Sequence, residues 1–140
     1  MTTTTEANKQ LARDYFKAFL QADRDWWAKH IAPTFRRNDP GLPFEVVGPE
    51  GVKKLADALH PGIPDMQLPI EDVIAEGEKV LVRLRVKGTH GGDLMGVPAT
   101  GRKIDIGVLD LFHIRDGKLI EHWALLDNLG LLRQIGVSSI

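Results

Sequence analysis

The hydrophobic pattern of this 140-residue chain changes period once, near Met66, from helical to alternating, and this change constrains the fold more than any other feature. Before it, Glu6 to Gln21 carries Leu11, Ala12, Tyr15, Phe16, Phe19 and Leu20 at helical spacing, which predicts an amphipathic helix with an aromatic-rich inner face. Asp23 is placed to cap a short second helix, about Arg24 to Ile31, that turns Trp27 and Ile31 inward and stops ahead of Pro33. Phe35 to Pro43, with Pro40, Gly41 and Pro43 close together, reads as irregular. Pro49 suits the first turn of a third helix, which His60, Pro61 and Gly62 end after Leu59.

After the change, four strands follow. Met66 to Ala75 and Lys79 to Thr89 are joined through Glu76, Gly77 and Glu78. In the second of them Val80, Val82, Leu84 and Val86 share one face, and Leu81, Arg83, Arg85 and Lys87 the other. A glycine-rich connection, Gly88 to Arg102, leads to a last hairpin, Lys103 to Ile114 and Lys118 to Leu126, and a helical turn closes the chain around Asn128 to Gln134. Helices first and an antiparallel sheet afterwards is an α+β order in which three N-terminal helices cover one side of a curved sheet, leaving a cup between the layers. The length suits one domain spanning 1–140.

Composition narrows the chemistry. With no cysteine, thiol catalysis, thiolate metal sites and disulfides are excluded, and a cytoplasmic location is the expectation. Met1 to Glu6 is a polar threonine run that suits a frayed terminus and not a signal peptide. No segment approaches the ~20 apolar residues of a membrane span. A net charge of −1 with interspersed signs argues against a nucleic-acid partner. The five histidines, His30, His60, His90, His113 and His122, show no metal-ligand spacing, so no metal is expected. The only serines, Ser138 and Ser139, sit in the tail and support no Ser–His–Asp triad.

The last hairpin decides where polar groups meet. A three-residue loop of Arg115, Asp116 and Gly117 sets Ile114 against Lys118, Phe112 against Ile120, Asp110 against His122 and Val108 against Ala124. One face then holds Ile104, Ile106, Val108, Asp110, Phe112, Ile120, His122, Ala124 and Leu126. On it Asp110 and His122 face each other with Cβ atoms ~5 Å apart, an acid–base pair in an oily cup. A two-residue loop of Asp116 and Gly117 instead opposes Asp110 to Trp123 and separates the pair. The three-residue loop is preferred because both faces stay coherent. The other face, with Leu109, Leu111, His113, Leu119, Trp123 and Leu125, is apolar enough to meet a second subunit, as a homodimer or homotetramer. Asp127 or Asn128 is expected to cap the closing helical turn.

Gly88-Thr-His-Gly-Gly92, Gly96-Val-Pro-Ala-Thr-Gly-Arg102, Asp116-Gly-Lys-Leu-Ile-Glu-His-Trp123 and Leu131-Leu-Arg-Gln-Ile-Gly136 together resemble the SnoaL-like polyketide cyclases, also called ester cyclases. The resemblance covers nearly the whole chain. It implies a nuclear transport factor 2-like cone, usually dimeric or tetrameric, that closes a polyketide ring by intramolecular aldol reaction without a cofactor. It also implies an aspartate as acid/base two residues after the histidine of the last strand. Here that histidine matches His122, and the aspartate position holds Ala124.

Asp110 and His122 are therefore the candidate catalytic residues, with Asp110 taking over proton transfer. Tyr15, Phe19 and Trp27 on the helices, and Val108, Phe112 and Ala124 on the inner sheet face, are candidates to hold a small hydrophobic substrate. Asn38 resembles a polar pocket residue of the family, and His90, in the Gly-Thr-His motif, is expected at the pocket rim or in the loop. The same cup could host hydrolysis or hydroxylation, or, having lost the family's aspartate, a non-catalytic binding or assembly role.

Overall fold

The computed structural model describes residues 4–137. Four helices lie on a curved six-stranded sheet. Helices α1 (Thr4–Gln21), α2 (Arg24–His30) and α3 (Gly48–Leu59) belong to the first half, and α4 (Asn128–Gln134) follows the last strand. The strands are β1 (Ile31–Asn38), β2 (Val46–Val47), β3 (Ile70–Glu76), β4 (Lys79–Thr89), β5 (Lys103–Arg115) and β6 (Lys118–Leu126), in the spatial order β2-β1-β6-β5-β4-β3.

The helices form where capping and periodicity expect them. Asp23 accepts from the Trp26 backbone N–H at 3.1 Å and starts α2, and Pro49 occupies the first turn of α3. Gly48 precedes it with φ +65°, and a Cβ there would meet the Pro33 carbonyl oxygen at 2.9 Å, so glycine is required. Tyr15, Phe16, Phe19 and Trp27 are buried as expected, whereas Leu20 is exposed. The chain is already helical from Thr4, which corrects the expectation of a frayed end there. Residues 1–3 and 138–140, the serines of the tail included, lie outside the described residues.

Two strands escaped the sequence analysis. The chain leaves α2 at His30 and enters β1, which runs parallel to β6 and pairs Arg37 with His122 and Asn38 with Trp123. The sheet is thus mixed and not wholly antiparallel. Pro33 lies within the irregular stretch of this pairing, between Ile31 and Arg36, where a missing N–H costs no ladder bond. β3 starts at Ile70 and not Met66; Gln67 makes an isolated bridge to Lys87, and Pro69 then interrupts the ladder.

The hairpin β5–β6 corrects both registers considered from sequence. Asp116 (φ +51°) and Gly117 (φ +74°) form a two-residue turn with both residues left-handed, so Arg115 pairs with Lys118 and Ile114 with Leu119. The register then shifts by one residue of β6 at Ile120, a β-bulge, after which His113 pairs with Glu121, Phe112 with His122, Asp110 with Ala124 and Val108 with Leu126. The bulge restores the phase that the short turn would have lost. Asp110 and His122 share the inner face, as expected, but as diagonal neighbours. Leu119, expected outside, is fully buried.

The core lies between the helices and the inner face of the sheet, with Val80, Val82 and Leu84 of β4 meeting Ile104, Ile106 and Phe112 of β5 in one apolar cluster. The outer face leaves Ile74, Leu81, Leu109 and Leu125 exposed. Among the described residues no helix is long and apolar enough to cross a membrane.

Candidate active site

A pocket opens between α1, α3 and the inner face of the sheet. Its wall is mainly apolar: Phe16 and Phe19 from α1, Leu55 and Leu59 from α3, Val86 from β4 and Val108 from β5. Leu94 and Met95 reach it from the connection between β4 and β5. Five polar or charged side chains line it: Tyr15, Arg37, Asp39, Asp110 and Asn128.

Asp110 is buried on β5 with its carboxylate facing this space. Its Oδ1 has no hydrogen-bond partner; His122 Nε2 lies 3.2 Å away but outside hydrogen-bond geometry. An oxygen without a donor keeps its lone pairs free to take a proton. His122 sits behind the wall in an aromatic box, stacked on Phe112 (centroids 4.2 Å apart, 24° between planes), edge-on to Tyr15 at 5.6 Å and near Phe35 at 6.3 Å. Burial lowers the His122 pKa, which Asp110 only partly opposes, so the imidazole rests neutral.

Tyr15 projects from the middle of α1, and its hydroxyl has no hydrogen-bond partner. Burial pushes its pKa up to about 12, keeping the group protonated and able to donate. Arg37 comes from β1, the strand missed from sequence. Its Nε and Nη2 donate to Asp39 Oδ2 at 3.1 and 2.9 Å, and Asp39 Oδ1 accepts from the Gly41 backbone N–H at 3.0 Å. Nearby Tyr15, Asp110 and Asp39 raise the Arg37 pKa above that of an ordinary guanidinium despite its burial. The alternation Phe35, Arg37 could have shown that Arg37 points inward with Phe35, had the segment been recognised as a strand.

Of the other candidates from sequence, Phe19 and Val108 line the pocket. Trp27 is packed in the core with Nε1 unpartnered, and Phe112 lies behind the wall against His122. Ala124 is fully buried opposite Asp110. Asn38 turns away to donate to Glu121 Oε2 and the His122 carbonyl, tying β1 to β6. His90 is buried outside the pocket, with Nδ1 2.9 Å from Thr100 Oγ1 and Nε2 3.1 Å from the Val97 carbonyl. Asp127 caps α4 by accepting from Gly130 N–H at 2.8 Å. Among the described residues no cluster of three or more His, Asp or Glu side chains is arranged to hold a metal ion.

This architecture agrees with comparisons against known proteins. The profile described as SnoaL-like polyketide cyclase matches residues 9–135. The chain belongs to this family. Over 60 residues it is 42% identical to aklanonic acid methyl ester cyclase DnrD of Streptomyces peucetius, a match that takes in 43% of the chain and 41% of DnrD. The chain thus spans about two-fifths of the length of the curated relative. A family protein from Jannaschia sp. CCS1, assigned as a SnoaL-like polyketide cyclase, superposes with a TM-score of 0.87 at 27% identity, over 100% of this chain and 98% of that one. AclR of Streptomyces galilaeus, assigned as a hydroxylase, superposes with a TM-score of 0.80 at 28% identity, over 95% and 98%. Family and relatives point to polyketide cyclase activity as the common theme.

Proposed function

We propose that this SnoaL-like chain is a cofactor-independent acid/base enzyme that closes a ring on a hydrophobic, carbonyl-bearing substrate by an aldol-type reaction, with Asp110 as the proton-transferring group. The observation that carries this reading is the placement of Asp110: a buried carboxylate with an unpartnered oxygen, facing an apolar pocket. Asp110 takes a proton from carbon beside a carbonyl, the resulting enolate carbon attacks a second carbonyl, and the new alkoxide regains a proton. Neutral His122 lies 3.2 Å behind Asp110, near enough to take up the shared proton once the carboxylate turns toward it. The similarity to an ester cyclase supports the same chemistry.

Proton exchange tests this directly. With a 1,3-dicarbonyl ester in heavy water, the protein is expected to catalyse deuterium incorporation at the central carbon, followed by NMR, and Asp110→Asn to slow it at least ~100-fold, the usual worth of a positioned acid/base group. Full exchange activity in Asp110→Asn would refute the assignment. The competing reading, a binding module, is favoured by the absent carboxylate at Ala124 and is chosen instead if the wild type binds such esters without exchanging them.

The exposed outer-face residues Leu81, Leu109 and Leu125 support a homodimer built sheet against sheet. Arg83 and Arg85 are paired on that face with Asp72 and Asp105, so its mixed charges can meet a second copy without like-sign conflict. Sedimentation of the wild type as a dimer, and of Leu109→Glu/Leu125→Glu as a monomer, is the expected result.

A further inference from the structure

Proton removal from carbon leaves an electron pair that must settle on oxygen, and the pocket contains a place for it that the base does not explain. Arg37 lies on β1 and Asp110 on β5, the two strands that flank β6. Between them β6 presents His122, withdrawn behind the wall, and Ala124, fully buried. A substrate in the pocket thus meets the Asp110 carboxylate from one side of β6 and the Arg37 guanidinium from the other.

The guanidinium is held in an unusual way. Both N–H groups directed at Asp39 go to one carboxylate oxygen, while the other oxygen is fixed by the Gly41 backbone. These two bonds use Nε and Nη2, and the side chain lines the pocket while only 9% exposed, so Nη1 is the end of the guanidinium left to face a ligand. The Tyr15 hydroxyl beside it is buried too, close enough to Arg37 for the guanidinium to act on its pKa, and its O–H has no acceptor. A guanidinium and a hydroxyl with donor capacity to spare, in a mainly apolar pocket, call for an oxygen-bearing ligand.

We propose that Arg37 and Tyr15 form the oxyanion site of this pocket and receive the oxygen of a 1,3-dicarbonyl substrate as it becomes an enolate. This inference rests on the proposed acid/base function. The Asp110 carboxylate takes the proton from the carbon between the two carbonyls, and the C–H pair becomes the C=C bond of the enolate. The carbonyl π pair moves to oxygen, where Arg37 Nη1–H and Tyr15 O–H donate hydrogen bonds. When the enolate carbon forms the new C–C bond, the charge leaves this oxygen for that of the attacked carbonyl, which takes the proton back from Asp110. Asp39 is a positioning residue that fixes the guanidinium plane.

The test uses benzoylacetone, a small 1,3-diketone whose enolate absorbs at longer wavelength than its neutral forms, so its ionisation when bound can be titrated spectrophotometrically. An opposite charge within ~4–6 Å shifts an acid by about 1–3 units, so the wild type should lower the apparent pKa of the bound probe by at least about one unit, a tenfold stabilisation of the enolate. Arg37→Met/Asp39→Asn removes both charges together and avoids leaving the buried Asp39 carboxylate without its cation; it should return the probe to its free value. Tyr15→Phe, which removes a hydroxyl with no protein partner, should reverse part of the shift without loss of fold. Asp110→Asn should keep the shift while losing deuterium exchange.

The proposal is overturned if the wild type does not bind the probe or does not lower its pKa. It is also overturned if both the Arg37→Met/Asp39→Asn and Tyr15→Phe proteins lower it as the wild type does. Exchange that survives in Asp110→Asn, with a shift that still depends on Arg37, would instead remove the assigned base and leave the oxyanion site standing.

Discussion

Asp110 of β5 stands directly across the ladder from Ala124 of β6, both on the face that lines the cup. Ala124 occupies the position at which the family resemblance expects an aspartate, and the proposed function puts the working carboxylate one strand away in the same wall. Directly opposed residues have Cβ atoms ~4.5–5.5 Å apart, a displacement that a substrate can follow by a small shift in the pocket. Asp110→Ala should therefore abolish exchange, and Asp110→Ala/Ala124→Asp should recover at least a tenth of the wild-type rate in the NMR assay. Ala124→Asp alone places two buried carboxylates side by side and is expected to cost about 1–3 kcal/mol of stability in urea unfolding. A double variant as inactive as Asp110→Ala would show that the two positions are not interchangeable.

The neutrality of His122 carries a signature in stability. Its pKa in the folded protein lies below the ordinary value because burial opposes the charge, so below about pH 6.5 the unfolded chain binds a proton that the folded chain refuses. The associated stability is complete above that pH and declines as the pH falls toward the folded pKa, by about 1.4 kcal/mol per pH unit within the window. Asp110, Arg37 and Asp39 surround the imidazole and remain in a His122→Gln variant, so the difference between the two proteins isolates the histidine. Thermal unfolding between pH 7 and 5 should show the wild type's advantage over His122→Gln shrinking as pH falls. An advantage that grows on acidification would mean that His122 is charged in the fold.

Tyr15 is the chain's only tyrosine, which makes its ionisation directly visible in the near ultraviolet. Burial is the main cause of its raised pKa, partly offset by Arg37. No phenolate signal should appear near pH 10, and ionisation should come at about pH 12 or with alkaline unfolding. A folded pKa above the unfolded one means that the contribution to stability is retained below about pH 10 and lost as pH climbs from there toward 12. Phenolate forming near pH 10 in a protein that keeps its near-ultraviolet circular dichroism would place the hydroxyl in water and out of the oxyanion site.

Much of this arrangement was legible in the sequence. The switch of period at Met66 gave the layer order, and the alternation of Val80, Val82, Leu84 and Val86 gave the buried face of β4. The shared face of Asp110 and His122 was also legible, but for an incomplete reason. Their phase depends on the bulge at Ile120 compensating a two-residue turn, and a bulge leaves no mark in a pattern of alternating residue types. Arg37 was missed because β1 pairs in parallel with β6, far away in sequence, and carries proline and two arginines where a strand usually carries β-branched residues. The alternation Phe35, Arg37 marks the inward side only once the segment is known to be a strand, and its partners Asp39 and Tyr15 become visible only once the chain is folded. His90 shows the opposite case, a motif residue whose position promised contact with substrate.

The fold gives His90 a different task. The Val97 carbonyl can only accept, so Nε2 carries the proton and donates to it, and Nδ1 accepts from the Thr100 hydroxyl, whose oxygen in turn accepts from Arg102 N–H. This chain of bonds fixes the segment 90–102, from which Leu94 and Met95 reach the pocket. His90→Ala leaves the Val97 carbonyl and the Thr100 hydroxyl without partners at a buried site, at a cost of about 1–3 kcal/mol each way the bond is lost. Urea unfolding should show that loss. Because the imidazole lies away from Asp110, kcat and its pH profile should stay within about threefold of wild type, while KM rises as the wall formed by Leu94 and Met95 loosens. A fall in kcat with unchanged KM and unchanged stability would instead put His90 in contact with the reacting substrate.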